Sequence, residues 1–204
     1  MSELFSIQLQ NRQQQGRDGV WLDLPTTTEQ VQAALRQIGI SSDNPQGLFI
    51  SGYFAEEEKR FAIPYNMVLA SNVDELNFLA SRLETLSTGE RAELNAALQA
   101  PQSELFSIGR ITDFPENVDY YVHLPDVHGP AQLGDYYLNR SGMVDMPEEW
   151  KGGIDTAQFG RYVAQQEQGA FTQYGYLVKS GDEWQKVHEG QPVPEEYRVL
   201  SFPA

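Results

Sequence analysis

The chain has 204 residues, 40% hydrophobic and 11% aromatic, which is enough apolar material for a folded core and excludes a disordered acidic tail. Its 29 Asp and Glu against 14 Lys and Arg give a net charge of −15, which repels nucleic acids and anionic membranes and favours basic partners. The lack of cysteine excludes disulfides, thiolate nucleophiles and Cys-based zinc sites. No export signal opens the chain, and no apolar run reaches the roughly 18 residues of a membrane span, so we expect a cytoplasmic protein.

The first seventy residues predict a small α+β unit. The stretches ELFSIQL and GVWLDLP alternate apolar with polar residues, which is typical of two strands joined by a polar loop. Thr26 and Glu29 have the T-x-x-E spacing of a capping box, and apolar residues then recur at helical intervals up to Gly39. These residues predict an amphipathic helix, and the run GLFISGYF predicts a third strand.

The segment 71–100 predicts a helical hairpin. Apolar stripes around Leu76 and Leu94 recur at helical intervals, and Thr88-Gly89 separates them. Pro101 marks a boundary after the hairpin, since a residue before proline is biased away from helical geometry.

The hexapeptide SELFSI occurs twice, at residues 2–7 and 103–108. The first copy fits a strand that leads into a loop. In the second, Ser103 is placed to cap a helix, and apolar residues follow at helical spacing from Leu105. We therefore predict a strand for the first copy and a helical turn for the second.

A second repeated pattern lies in the last third of the chain. AQLGDY and AQFGRY share Ala-Gln-apolar-Gly-x-Tyr, and each continues into a predicted short helix. Gly134 and Gly160 permit close packing of a helix start, while the following tyrosine fills a core position. A common origin and two similar packing solutions fit this pattern equally well. Further on, AFTQYGYLVKS predicts a strand, and the tail from Gly181 predicts an irregular arm over the surface.

The sequence contains few residues arranged for catalysis. The sequence has no Walker loop, Rossmann glycine pattern, nucleophile elbow or H-E-x-x-H zinc helix. His123, Asp126 and His128 form a local cluster with ligand potential, but Pro125 predicts an extended or turning segment in which the imidazoles need not converge. Adjacent carboxylates such as Glu148 and Glu149 favour a solvated face over an acid–base pair in a cleft. We predict no enzyme activity, no metal and no cofactor.

Several sequence blocks resemble the ArdA antirestriction proteins, which conjugative plasmids and transposons encode. These blocks are GVWLDLP with the helix after it, NVDELNFLASRLETL, NVDYYVHLPDVHGPAQLGDYYL and IDTAQFGRYVAQQEQGAFTQYGYL. They cover most of residues 4–178 in the family's order. The resemblance implies an elongated α+β chain of three small domains. We assign an α+β domain with an antiparallel sheet to 1–70, a helical domain to 71–102, an α+β domain to 103–180 and an extension to 181–204.

The resemblance also implies a non-enzymatic DNA mimic. Such a homodimer would occupy the DNA-binding groove of type I restriction–modification enzymes, at their specificity and methyltransferase subunits, and so protect incoming mobile DNA. It would bind neither nucleic acid nor membranes. The family's third-domain block points to Asp119, Asp126 and Asp135 as surface carboxylates.

Charge alone adds further candidates for the acidic surface. Those near the third-domain block are Asp113, Glu116, Asp145, Glu148, Glu149 and Asp155. Those in the first two domains are Asp23, Glu56, Glu57, Glu58, Asp74, Glu75 and Glu84. Packing or a dimer interface, rather than target contact, is expected of Tyr120, Tyr121, Tyr136 and Tyr137.

Two alternatives stand beside DNA mimicry. An acidic interaction or inhibitor module for another basic DNA-processing protein shares the same charge argument, and the sequence does not separate the two. A hydrolase or metalloenzyme that uses His123, Asp126 and His128 instead predicts a bound metal.

Overall fold

A computed structural model describes residues 4–14, 18–55, 61–101 and 103–203. Helices and two antiparallel sheets make up the fold, so the predicted α+β class is confirmed. The chain divides into two compact units. Unit one comprises Met1–Ser87, Leu105–Glu116 and Lys186–Ala204, and unit two comprises Thr88–Glu104 and Asn117–Gln185. The division into three consecutive domains is therefore not confirmed.

Unit one is built on a three-stranded antiparallel sheet in the order β2-β1-β3. The strands are β1 (Phe5–Asn11), β2 (Val20–Leu24) and β3 (Leu48–Phe54), where the sequence predicts them. Alternate β1 residues such as Ile7 and Leu9 are fully buried, because successive strand residues point to opposite faces of the sheet.

Helix α1 (Thr28–Gln37) contacts β2, and its Val31 and Leu35 are fully buried. The predicted capping box is wrong by one residue, since the cap is Thr27 and its partner is Gln30. The N–H of Thr26 donates instead to Asn77 Oδ1 at 2.7 Å, so the helix starts one position later. Gly39 follows the helix at φ +67°, which glycine adopts without strain.

The remaining helices of unit one are α2 (Tyr65–Ala70), α3 (Val73–Leu83) and α5 (Ile108–Thr112). Helix α3 is the first helix of the predicted hairpin, and it packs against α5. The second helix, α4 (Thr88–Gln99), belongs to unit two. The predicted break at Thr88-Gly89 is wrong, because Thr88 is already helical.

The two copies of SELFSI adopt different structures. Residues 5–7 lie in β1, as predicted. The helical turn predicted at Ser103 is wrong: residues 103–107 are not helical, and Ser107 caps α5 by accepting from the Arg110 N–H at 3.2 Å. Leu105 is buried, so the residues before Ser107 contribute to packing. The helix starts only at Ser107, the second serine of the repeat.

The tail is irregular, as predicted, apart from a short 3-10 helix at Glu195–Tyr197. It is nevertheless fixed within unit one. The Tyr197 ring lies 4.7 Å from that of Phe78, the Tyr197 carbonyl accepts from Asn77 Nδ2, and Val199 is buried. Val199 and Pro203 are buried, whereas the other residues of 186–203 are exposed or half-buried, so this segment packs on unit one as the predicted irregular arm over the surface.

Unit two has a second antiparallel sheet in the order β4-β6-β5, which α4 contacts. Its strands are β4 (Tyr121–Leu124), β5 (Ala170–Thr172) and β6 (Gly175–Lys179). The single strand predicted for AFTQYGYLVKS is in fact a hairpin. The chain turns at residues 173 and 174, and β6 begins at Gly175, whose φ of +118° disfavours other residues.

Three helices complete unit two. They are α6 (Pro130–Asp135), which continues as a π-helix at Tyr136–Arg140, α7 (Glu148–Lys151) and α8 (Thr156–Gln166). Helices α6 and α8 form the most extensive contact between helices of the unit. No helix in the described parts of the chain is both long and apolar enough to cross a bilayer.

The two glycines of the repeated pattern meet where α6 and α8 cross. A Cβ on Gly134 would lie 1.9 Å from the Thr156 carbonyl oxygen, and a Cβ on Gly160 would lie 1.8 Å from that of Pro130. The predicted close packing is thus confirmed, and the contact is reciprocal. The core position predicted for the following tyrosine is wrong for Tyr162, which is 58% exposed.

Candidate acidic interaction surface

Unit two carries 13 Asp and Glu against 5 Lys and Arg, a difference of 8 negative charges. Seven of these carboxylates lie in the segment 119–155, which we call the acidic segment. Six of the seven are exposed and Asp135 is half-exposed; they are Asp119, Asp126, Asp135, Asp145, Glu148, Glu149 and Asp155. The acidic segment therefore directs nearly all of its charge towards solvent.

Short helices position several of these carboxylates. Asp155 caps α8 by accepting from the N–H groups of Ala157 and Gln158 at 2.9 and 3.0 Å. Glu148 and Glu149 lie in the first turn of α7. Carboxylates are stabilised at helix N-termini, where unpaired N–H groups and the helix dipole favour negative charge.

The glycine crossing brings two parts of the acidic segment together. Gly134 precedes Asp135, and the Thr156 carbonyl that it approaches follows Asp155. The backbone segments that bear Asp135 and Asp155 are consequently adjacent, although the two residues are twenty positions apart in sequence.

Little positive charge offsets the acidic segment. Arg140 and Lys151 are the two basic residues between 119 and 155, and they pair with Asp135 at 3.0 Å and Glu148 at 2.8 Å. Surface pairs of this kind contribute about 0–1 kcal/mol. Within the described residues, no ion pair involves Asp119, Asp126, Asp145 or Glu149.

Three predicted surface carboxylates instead hold unit one together. Asp113 is fully buried and accepts from the N–H groups of His188 and Glu189 at 2.6 and 3.2 Å, so its placement on the surface is wrong. Asp74 accepts from the N–H groups of Val199 and Leu200 at 2.7 Å each. Glu116 pairs with Arg82.

The other candidates of the first two predicted domains are dispersed. Asp23 is exposed on β2 and accepts from Ser6 Oγ at 2.8 Å. Glu75 is exposed and completes the capping box of α3 with Asn72, and Glu84 is half-buried at the end of α3. Glu56, Glu57 and Glu58 lie outside the described residues.

Glu93 on α4 is a carboxylate that the sequence reasoning missed. It is half-buried, and its Oε1 has no hydrogen-bond partner among the residues that the structure describes. Burial, reinforced by the nearby charges of Glu90 and Asp119, raises the pKa of Glu93 to about 8. The sequence offers one signal for this burial: Glu93 directly precedes Leu94 of the predicted apolar stripe and lies one helical turn before Ala97, which is buried.

Tyrosines form much of the interior of unit two. Tyr120 and Tyr121 are buried with rings 4.9 Å apart, as expected of packing residues. The hydroxyls of Tyr137 and Tyr176 both donate to Glu167, at 2.8 and 2.6 Å. Burial, together with the bond to Glu167, raises the pKa of both hydroxyls above the usual range. This interaction closes the core around Val127 and Leu133.

The histidine cluster does not come together as a site. His123 Nε2 lies 2.7 Å from the Tyr174 carbonyl oxygen, whereas Asp126 and His128 are exposed. Among the residues that the structure describes, no group of three His, Cys, Asp or Glu side chains is arranged to hold a metal ion. The metalloenzyme alternative therefore has no support in this geometry.

The fold and its exposed carboxylates define an acidic α+β protein whose charge suits a basic partner. The model of one family, described as Antirestriction protein (ArdA), matches residues 15–178. The chain therefore belongs to the ArdA family, and the resemblance seen in the sequence is confirmed. Membership implies an antirestriction function and interaction with restriction enzymes, as in a family of inhibitor proteins. No curated protein matches the chain.

Proposed function

We propose that the protein inhibits type I restriction–modification enzymes by mimicking DNA. The observation that carries this proposal is the acidic segment, whose seven carboxylates face solvent with two basic residues among them. These carboxylates take the place of DNA phosphates in the basic groove of the enzyme. Inhibition is then competitive exclusion of DNA, in which no bond is made or broken.

The amount of charge is compatible with this role. Duplex DNA carries one negative charge per about 1.7 Å of its axis, so a net charge of −15 corresponds to roughly 25 Å of duplex. Two copies correspond to roughly 50 Å. A dimer thus carries the charge of a DNA segment long enough to contact a groove formed by several subunits.

The partner in this proposal is the groove formed by the specificity and methyltransferase subunits, and the protein acts as a homodimer. In unit two, Met143, Trp150 and Tyr162 are 76, 67 and 58% exposed, and we propose that these apolar side chains contribute to the interface between the two copies. Inhibition takes place in the cytoplasm, where incoming mobile DNA meets the enzyme, and it protects that DNA on entry.

Neutralising the acidic segment tests the proposal. A variant with Asp119→Asn, Asp126→Asn, Asp145→Asn and Glu149→Gln should lose at least about fourfold in inhibition of DNA binding by a type I enzyme, because each exposed charge contributes about 0.2–1 kcal/mol. The matched control neutralises Asp182, Glu183, Glu195 and Glu196, which lie outside the residues that match the family. Equal losses in the two variants would show that net charge alone acts and would contradict the assignment to the acidic segment.

A further inference from the structure

One face of the sheet in unit one presents aromatic side chains to solvent. In β1, Ser6 pairs with Asp23 of β2 and Phe54 of β3, and Gln8 pairs with Trp21 of β2 and Gly52 of β3. Paired strand residues point to the same side of a sheet, so these six residues share one face, which we call the open sheet face. The opposite face contains the buried Phe5, Ile7 and Leu9.

The indole of Trp21 is held in place on the open sheet face. A Cβ on Gly52 would lie 3.0 Å from Trp21 Cη2, so the missing side chain leaves room for the indole to extend across the sheet. The ring contacts Phe54 edge-on, with centroids 6.4 Å apart and an angle of 72° between the planes. Trp21 nevertheless remains 49% exposed and Phe54 57% exposed.

A carboxylate lies beside this aromatic pair. Asp23 is two residues after Trp21 on β2, on the same face and about 7 Å along the strand. Its Oδ1 accepts from Ser6 Oγ at 2.8 Å, which orients the carboxylate, and the residue is exposed. Among the described residues, no cation lies over Trp21 and none forms an ion pair with Asp23.

We propose that the open sheet face binds an arginine side chain of a basic protein partner. A guanidinium stacks on an indole through cation–π attraction and donates planar, charge-assisted hydrogen bonds to a carboxylate. Trp21 and Asp23 offer these two features at neighbouring positions. A lysine ammonium is a compact, strongly hydrated charge without a planar fork, so it should bind the indole and the carboxylate together less strongly. The same unit already holds a guanidinium over a ring, since Arg12 lies 5.0 Å from the centre of Phe49.

The inference rests on the proposed function for the basic character of the partner, which the net charge of −15 favours. It adds a contact in unit one that selects arginine, whereas the acidic segment in unit two attracts positive charge of either kind. Contacts that combine aromatic and charged groups are typical of the residues that dominate protein interfaces.

The test uses short peptides and the indole N–H resonance of Trp21 in the full chain, so that only binding at this site is measured. A hexa-arginine peptide should shift this resonance saturably, with an apparent Kd at least about threefold below that of hexa-lysine. Asp23→Asn should raise the Kd of the arginine peptide about fivefold. Asp43→Asn, which removes the same charge from another exposed site in unit one, should leave it within about twofold.

Equal Kd values for the two peptides at Trp21 would overturn the proposal, and so would equal effects of Asp23→Asn and Asp43→Asn. Phe54→Leu provides a second variant in which both Trp21 and Asp23 are kept, and it should weaken the preference for arginine. Because no restriction enzyme is present, a negative result removes this site without bearing on the acidic segment. Failure of the acidic-segment variant in the enzyme assay would likewise leave the peptide result standing.

Discussion

At the scale of single residues, Glu93 is the carboxylate whose environment opposes its charge. Its side chain is half-buried, its Oε1 has no hydrogen-bond partner in the described parts of the chain, and Glu90 and Asp119 are close. Each of these features favours the neutral acid, which is why the pKa of Glu93 rises from its usual 4.5 to about 8. The folded state therefore binds a proton that the unfolded chain releases at lower pH.

This pKa shift predicts a pH-dependent stability. Because the pKa of Glu93 is higher in the folded state, its contribution is most favourable below about pH 4.5 and is lost progressively as the pH rises towards about 8. Glu93→Gln should therefore leave the melting temperature nearly unchanged at about pH 5 and raise it at about pH 9. Thermal unfolding of both proteins across this range is the measurement, with the exposed Glu149→Gln as control. A variant that is less stable than the parent at about pH 9 would contradict this account.

Asp113 and Asp74 show why charge in the sequence did not predict the surface fully. Acidic neighbours in the sequence suggested that both carboxylates are exposed. Both instead accept hydrogen bonds from backbone N–H groups of the tail. Those donors are 75 and 125 residues away, and no local pattern reports them. Asp119 and Asp126, in contrast, lie in a short 3-10 helix and a turn within the sequence block that resembles the family, and both are exposed.

At the scale of elements, the crossing of α6 and α8 shapes unit two. Gly134 and Gly160 each lie against a backbone carbonyl of the other helix, at distances that no Cβ tolerates. The crossing also places the backbone of Asp155 beside that of Asp135. Close packing in the interior thus determines where two surface carboxylates lie.

Gly134→Ala should destabilise the protein by about 2–3 kcal/mol, because the new methyl group would overlap the Thr156 carbonyl oxygen and force the helices apart. Chemical unfolding measures this loss. The control is Gly89→Ala in α4, where a Cβ meets nothing within 4 Å and alanine should be neutral or slightly stabilising. Equal free energies of unfolding for the two variants would contradict this prediction, because α6 and α8 would then accommodate the added methyl group without cost.

The types of most elements could be predicted from the sequence, whereas several of their boundaries could not. Periodicity identified β1, β2, β3, α1 and α3, since one face of each is buried. The cap of α1 moved by one residue because Asn77, far along the chain, binds the Thr26 N–H. The hairpin at Gly175 was missed because both of its strands are apolar, and periodicity alone does not show where an apolar run turns.

At the scale of the whole molecule, both units are acidic but carry their charge differently. In unit two most of the carboxylates face solvent in the acidic segment, whereas in unit one Asp74 and Asp113 secure the tail and Asp23 accompanies the exposed Trp21. We therefore propose charge-driven exclusion of DNA for unit two and selective contact with arginine for unit one.

Direct binding to a type I enzyme tests the central claim of DNA mimicry. With DNA-free enzyme, the apparent Kd of the protein should rise about tenfold or more between about 0.05 and 0.3 M salt, because ions screen the exposed carboxylates. A saturating DNA duplex that carries the enzyme's recognition site should abolish this binding. Simultaneous binding of the duplex and the protein to one enzyme, or a Kd that does not change with salt, would contradict the claim.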